Sequence, residues 1–181
     1  MSKEMFSPKG MYYEDYTRQF WNRKSGGLAQ RIVTRDHPET LYDIGAAMGY
    51  LIEDLQVLGV DAEGLEQSEY AVSQIDPLTK SKVKLGRAED LNKTIFIPSY
   101  DVIYTSCISY LHPYDLKETL AYILRKTKRV LYLSAYLRWN EEGGHDRYRT
   151  LNLTQSEWER VVTEVDPNFK YDGDYRYIRW R

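Results

Sequence analysis

Cysteine is nearly missing from this 181-residue chain: Cys107 stands alone, which excludes an internal disulfide. Histidine is almost as scarce, at positions 37, 112 and 145, a scatter that offers no metal-ligand spacing, so no metal is expected. Charge of one sign is not in excess either. With 25 Lys and Arg against 27 Asp and Glu, the net charge is -2. That balance lacks the electrostatic footprint of a nucleic-acid-binding protein. No apolar run approaches the roughly 20 residues that cross a bilayer. The opening "MSKEMFSPKG" has no apolar signal core, so a cytoplasmic protein with no membrane segment is expected. The two basic clusters, "LRKTKR" at 124–129 and "YRYIRWR" at the end, are local; the first suits the C-terminal end of a helix dipole.

What is present is a globular composition, 42% hydrophobic and 29% charged, long enough for one real core. One domain over 1–181 is expected, with 1–36 as an N-terminal helical cap segment and 37–181 as the core. The 17 tyrosines fit a core edge where the ring is buried and the hydroxyl stays wet. Along the chain, short apolar runs alternate with helical patterns. "ETLYDIG" (39–45), "DAEGLEQ" (61–67), "SKVKLGRAEDL" (81–91), "SYDVIYTSC" (99–107) and "RVLYLSAYL" (129–137) read as strands or hold one. "YLIEDLQVLG" (50–59), "EYAVSQI" (69–75), "DLKETLAYILRKT" (115–127) and "TQSEWERVVTEV" (154–165) read as helices; Ser68 caps the second and Pro77 closes it. Near the end, "NFKYDGDYRYIRW" (168–180) is two alternating segments around Asp172-Gly173, a strong hairpin signal. Apolar strands separated by helices predict an α/β fold with a parallel sheet covered on both faces.

The chemistry begins at "LYDIGAAMGY" (41–50). A strand that ends at Asp43 and turns through Gly45, Ala46, Ala47 and Gly49 into a helix is expected to point backbone N–H groups and a positive helix end at a ligand above the sheet edge, and its missing side chains permit close approach. No Lys-Ser/Thr pair follows, so this is not a P-loop. Glu66 closes the second strand; in doubly wound folds a carboxylate there accepts hydrogen bonds from both ribose hydroxyls of an adenosine group. Asp43 and Glu66 together predict an adenosine cofactor, either a dinucleotide or S-adenosylmethionine.

On these residues and three further stretches the chain resembles the class I S-adenosylmethionine-dependent methyltransferases. Asp43, Gly45 and Gly49 match the family's first motif, whose middle glycine is Ala47 here. "GLEQSEYAV" places the ribose-binding acid at Glu66, followed by Gln67. "GRAEDL" (86–91) is similar to the adenine-binding turn, which implies that Ala88 offers its backbone to the ring and that Glu89 or Asp90 caps the short helix that follows, although an acid usual before the alanine is Arg87. "YDVIYTSCISYLHPYDL" (100–116) resembles the fourth strand and its exit, which implies that Thr105 and Ser106 face the amino-acid end and the methyl. The closing hairpin also matches. The resemblance implies a Rossmann-like seven-stranded, mostly parallel sheet, with helices on both faces. Its strand order is 3-2-1-4-5-7-6 with an antiparallel last strand. In the family an N-terminal segment often folds over the cofactor, which brings in Tyr12, Tyr16 or Arg18 from "MYYEDYTRQFW"; an amphipathic helix covering the sheet is the other reading.

The implied function is methyl transfer from S-adenosyl-L-methionine to a small-molecule or exposed terminal acceptor. The alternative is a non-catalytic cofactor-binding module that pairs with a partner subunit. Holding two reactants in line can supply roughly 7–11 kcal/mol, so a base is optional. His112, on the loop after the fourth strand, is the catalytic candidate, or it shapes the turn before Pro113. His145 lies in a polar loop, 138–150, that would be a lid or a plain surface loop. Cys107 reads as a small core residue. "TSCISY" lacks the Pro-Pro-aromatic run suited to an exocyclic base amine, so nucleic acid is disfavoured. The acceptor atom and the oligomeric state stay open.

Overall fold

The computed structural model describes residues 24–134 and 150–180. The chain divides into two compact units, 1–87 and 88–181. The first holds α1 (Lys24–Asp36), β1 (Thr40–Ile44), α2 (Tyr50–Val57), β2 (Asp61–Glu66), α3 (Glu69–Ser73), α4 (Pro77–Lys80) and β3 (Val83–Leu85). β1 runs parallel to β2, and β2 to β3. From Leu41 to Ile44 every residue of β1 is buried, as a strand covered on both faces must be. α2 ends where Gly59 takes φ 83°, so that its N–H and that of Val60 donate to Gln56 O and Leu55 O in a Schellman arrangement.

The second unit holds β4 (Tyr100–Thr105), α5 (Pro113–Lys126), β5 (Thr127–Leu133), α6 (Gln155–Val165), β6 (Phe169–Tyr171) and β7 (Arg176–Arg179). β4 and β5 are parallel, whereas β7 is antiparallel to both β5 and β6. Fully buried Ile103, Ile123, Leu131, Trp158, Val162, Phe169 and Tyr177 form its interior. α6 begins with a complete capping box: the Thr154 side chain takes the Glu157 N–H and the Glu157 carboxylate takes the Thr154 N–H. The sheet has seven strands in the order 3-2-1-4-5-7-6, as the family resemblance implied, with helices flanking.

Three local expectations differ from the structure. Pro77 does not only close α3; it occupies the first turn of α4, whose N-cap Asp76 accepts the Leu78 N–H. α5 passes straight into β5 at Thr127, two residues before the expected strand start. The Thr127 hydroxyl donates to Ile123 O there, and Arg179 donates to Leu124 O and Thr127 O, so side chains close the helix without a loop. The final hairpin turns over four residues, with positive φ at Gly173, Asp174 and Tyr175, and Arg176 pairs with Asp172 across it.

Gly64 sets how closely β1, β2 and α2 approach. A Cβ there would stand 2.7 Å from Ile52 Cδ1 and 2.8 Å from the Asp43 carbonyl oxygen. The backbone oxygen cannot move aside as a side-chain tip can, so Gly64→Ala is expected to destabilise the protein by about 1–3 kcal/mol. Denaturant titration measures it; a midpoint equal to wild type would contradict the packing described.

Candidate functional site

Asp43, Gly45, Ala46, Gly49, Glu66 and Gln67 come together at the C-terminal ends of β1 and β2. The bend after β1 is held from inside. Leu65 O accepts the N–H groups of Gly45 (2.8 Å) and Ala46 (3.0 Å), and Ala46 O accepts that of Gly49 (2.8 Å). Glu66 then closes the arrangement: Oε2 accepts the Ala47 N–H and Oε1 the Ser68 N–H, both at 2.8 Å. The N–H groups of 45, 46, 47 and 49 are thus engaged within the protein. The bend contributes shape and the end of α2, whose N-cap Gly49 supplies no side chain, in place of the row of outward donors expected from the sequence.

Ala47, at the family's middle glycine, takes φ 50°, and Gly45 and Gly49 take 88° and 77°. Position 47 therefore keeps the left-handed backbone that a glycine would adopt without strain. Ser68 caps α3 as expected, its hydroxyl accepting the Ala71 N–H. Gly64 and Ser68 were not foreseen as parts of the site, and Ala47 only as the middle position of the first motif. The glycine inside the β2 pattern was the available signal for the first, since a mid-strand glycine marks close backbone approach. Nothing in the sequence marked the backbone N–H of Ala47.

Two buried carboxyls meet here. Asp43 and Glu66 are 3% and 2% exposed. Asp43 Oδ1 is buried with no hydrogen-bond partner. Burial, reinforced by the charge of Glu66, pushes the Asp43 pKa up to about 8. Burial also raises Glu66, but the N–H groups of Ser68, Ala47 and Gln67 act against it. Donors to the charged form favour it, and Glu66 has them on both oxygens while Asp43 has none on Oδ1.

In the second unit, Ala88 and Glu89 lie in a 3₁₀ turn, Ala88–Asp90, with Ala88 buried and Glu89 half-buried. Thr105 is fully buried at the end of β4, 3.6 Å from Cys107 Sγ through its hydroxyl, and Ser106 and Cys107 are half-buried. His112 is the N-cap of α5. Its Nδ1 accepts the Tyr114 N–H at 3.3 Å, and its ring stacks on Tyr114 with centroids 4.8 Å apart. A neutral imidazole whose Nδ1 accepts carries its hydrogen on Nε2. This cap shapes the turn into α5. Tyr12, Tyr16, Arg18, His145 and 138–149 of the expected lid lie outside the described residues. Among the described residues no group of three His, Cys, Asp or Glu could hold a metal, and no helix is long and apolar enough to cross a membrane.

No family model matches the sequence, and no curated protein does. Solved structures do. An S-adenosylmethionine-dependent methyltransferase from Archaeoglobus fulgidus superposes with a TM-score of 0.67 at 15% identity, over 88% of this chain and 75% of the other. The magnesium protoporphyrin IX methyltransferase ChlM from Synechocystis PCC 6803, solved with bound S-adenosylhomocysteine, gives 0.64 at 11% identity, over 95% and 91%. CalS10, an amino pentose methyltransferase from Micromonospora echinaspora, gives 0.50 at 17%, over 68% of this chain; the chain spans only 57% of CalS10. The fold is that of the class I S-adenosylmethionine-dependent methyltransferases, as the sequence resemblance implied.

Three outcomes follow from this geometry. Ala47→Gly relieves the left-handed alanine and is expected to stabilise the protein by about 1 kcal/mol in denaturant titration. Asp43, raised in the folded state, stabilises fully below the unfolded-state pKa of about 4. That contribution falls by roughly 1.4 kcal/mol per pH unit as the pH rises toward about 8. Asp43→Asn should flatten the fall in a pH series of unfolding curves. His112→Ala should cost about 1 kcal/mol of stability and His112→Asn much less, because Asn also caps a helix.

Proposed function

We propose that the protein is a methyltransferase that binds S-adenosyl-L-methionine at the β1 and β2 ends and methylates a small molecule or an exposed terminal group. The observation that carries this reading is Glu66: a buried carboxylate at the end of β2, fixed by two backbone N–H groups beside a side-chain-poor bend. The residues fit the cofactor. A carboxylate has about four lone-pair sites, so the two short bonds leave acceptors for the ribose hydroxyls. Gly45, Ala46 and Gly49 leave the bend open to close approach, and the end of α2 favours a carboxylate. Gln67, Ala88, Glu89, Thr105 and Ser106 belong to the cofactor site on the family resemblance, with Tyr12 and Tyr16 from the N-terminal segment.

When bound, the cofactor supplies an activated methyl group on a sulfonium that is itself the leaving group. The chain then has little bond-making chemistry to perform. Its residues hold the donor in one place, exclude water and align an acceptor, an effect worth up to roughly 7–11 kcal/mol. His112 enters as a cap and Nε2 donor on the β4 exit, so the reading needs no protein base. Two of the similar structures are an amino pentose methyltransferase and a magnesium protoporphyrin IX methyltransferase, both named for small molecules, which supports that class of acceptor without choosing one.

Calorimetric titration with S-adenosylmethionine tests the reading. Wild type is expected to bind. Glu66→Ala is expected to lose affinity by roughly a hundredfold or more, since each of the two hydroxyls bonded to a charged group contributes about 1.5–3 kcal/mol. Because alanine also frees the Ala47 N–H, Glu66→Gln, which keeps the shape, should show a smaller loss. Release of S-adenosylhomocysteine from a metabolite mixture would establish turnover. Equal affinity in wild type and both variants would overturn the site.

A further inference from the structure

Asp43 makes an unusual neighbour for Glu66. It is the fourth residue of β1, opposite Gly64 of β2 in register, and its side chain is buried, 3% exposed. The strands are close at this point: a Cβ on Gly64 would meet Ile52 Cδ1, the Asp43 carbonyl oxygen and Ala46 Cβ within 3.0 Å. No hydrogen-bond donor reaches Oδ1. Among the described residues, the one charge that acts on Asp43 is Glu66, and it is of the same sign. Glu66 differs in having its own backbone donors. An ionised carboxyl in the place of Asp43 would be a buried, donorless charge beside another of like sign, which costs several kcal/mol unless a cation arrives.

We propose that Asp43 carries a proton in the ligand-free protein and gives it up to solvent when a cationic ligand occupies the β1 and β2 ends. The inference rests on the function proposed above, and it makes cofactor uptake and proton release one event. The balance is simple: the O–H bond of the Asp43 carboxyl breaks, the proton passes to water or buffer, and the carboxylate left behind faces the ligand's positive charge. The paired acids thus act as a charge-matched seat for a cation, neutralised by a proton when no ligand is present.

The test is calorimetry with S-adenosylmethionine at about pH 6.5, in two buffers of different ionisation enthalpy. Close to one proton released per molecule bound is expected. The dissociation constant should fall about tenfold per pH unit between about pH 6 and 7, because ligand binding and deprotonation are linked. Asp43→Asn should bind with heat that no longer depends on the buffer. A ligand-free titration of the Asp43 carboxyl carbon by NMR needs no variant: the carboxyl should still be protonated near neutral pH and ionised once S-adenosylmethionine is added. Binding with buffer-independent heat in wild type would overturn this inference and leave the proposed function standing. So would an Asn variant that releases as many protons as wild type, or an ionised Asp43 in the ligand-free protein at about pH 6. No binding at all would overturn both.

Discussion

The site depends on one carboxylate holding two backbone segments. Glu66 takes the Ala47 N–H on one oxygen and the Ser68 N–H on the other, so the bend after β1 and the turn after β2 share an anchor. Leu65, one residue earlier, takes the Gly45 and Ala46 N–H groups on its carbonyl. The last two residues of β2 therefore template the bend. Hydrogen bonds to a charged group contribute about 1.5–3 kcal/mol each, enough to hold Ala47 at a positive φ that an alanine resists. The small residues permit the conformation, and the neighbouring strand imposes it.

The same clamp organises the electrostatics. A buried charge is tolerated where donors surround it, and Glu66 has them; Asp43, as deeply buried, has none on Oδ1. Burial raises both acids, and only at Glu66 do backbone donors act against the rise. In the second unit the corresponding order comes from carbonyls: Ser109 O, on the turn after β4, accepts the N–H groups of Thr150 and Leu151, and the Thr150 hydroxyl donates to Ser109 O and Leu111 O. The chain returning at residue 150 is thereby fixed to the β4 exit.

Much of this was legible in advance. Strand and helix periodicity located β1, α2, β2, β4, α6 and the final hairpin, and Ser68 stood as a cap where the structure has it. Asp43, Gly45, Gly49 and Glu66 were singled out in advance, and the structure puts them together at the ends of β1 and β2. Less legible were features without a local signature. α1 contains Gly26 and Gly27, which locally disfavour a helix. The seam between α5 and β5 is closed by Arg179, more than fifty positions away in sequence. His112 carried two readings, and which nitrogen accepts the Tyr114 N–H depends on how the turn into α5 is folded.

By itself, the sequence determined the alternation of strands and helices, the chemistry at the ends of β1 and β2 and the hairpin at the end, because periodicity, caps and turn residues act over a few positions. The tertiary structure decided which backbone N–H groups the bend keeps for itself, which of two buried acids has backbone donors, and how close β2 approaches at Gly64. Those outcomes depend on desolvation and on donors brought from distant positions, and both arise only when the chain packs against itself.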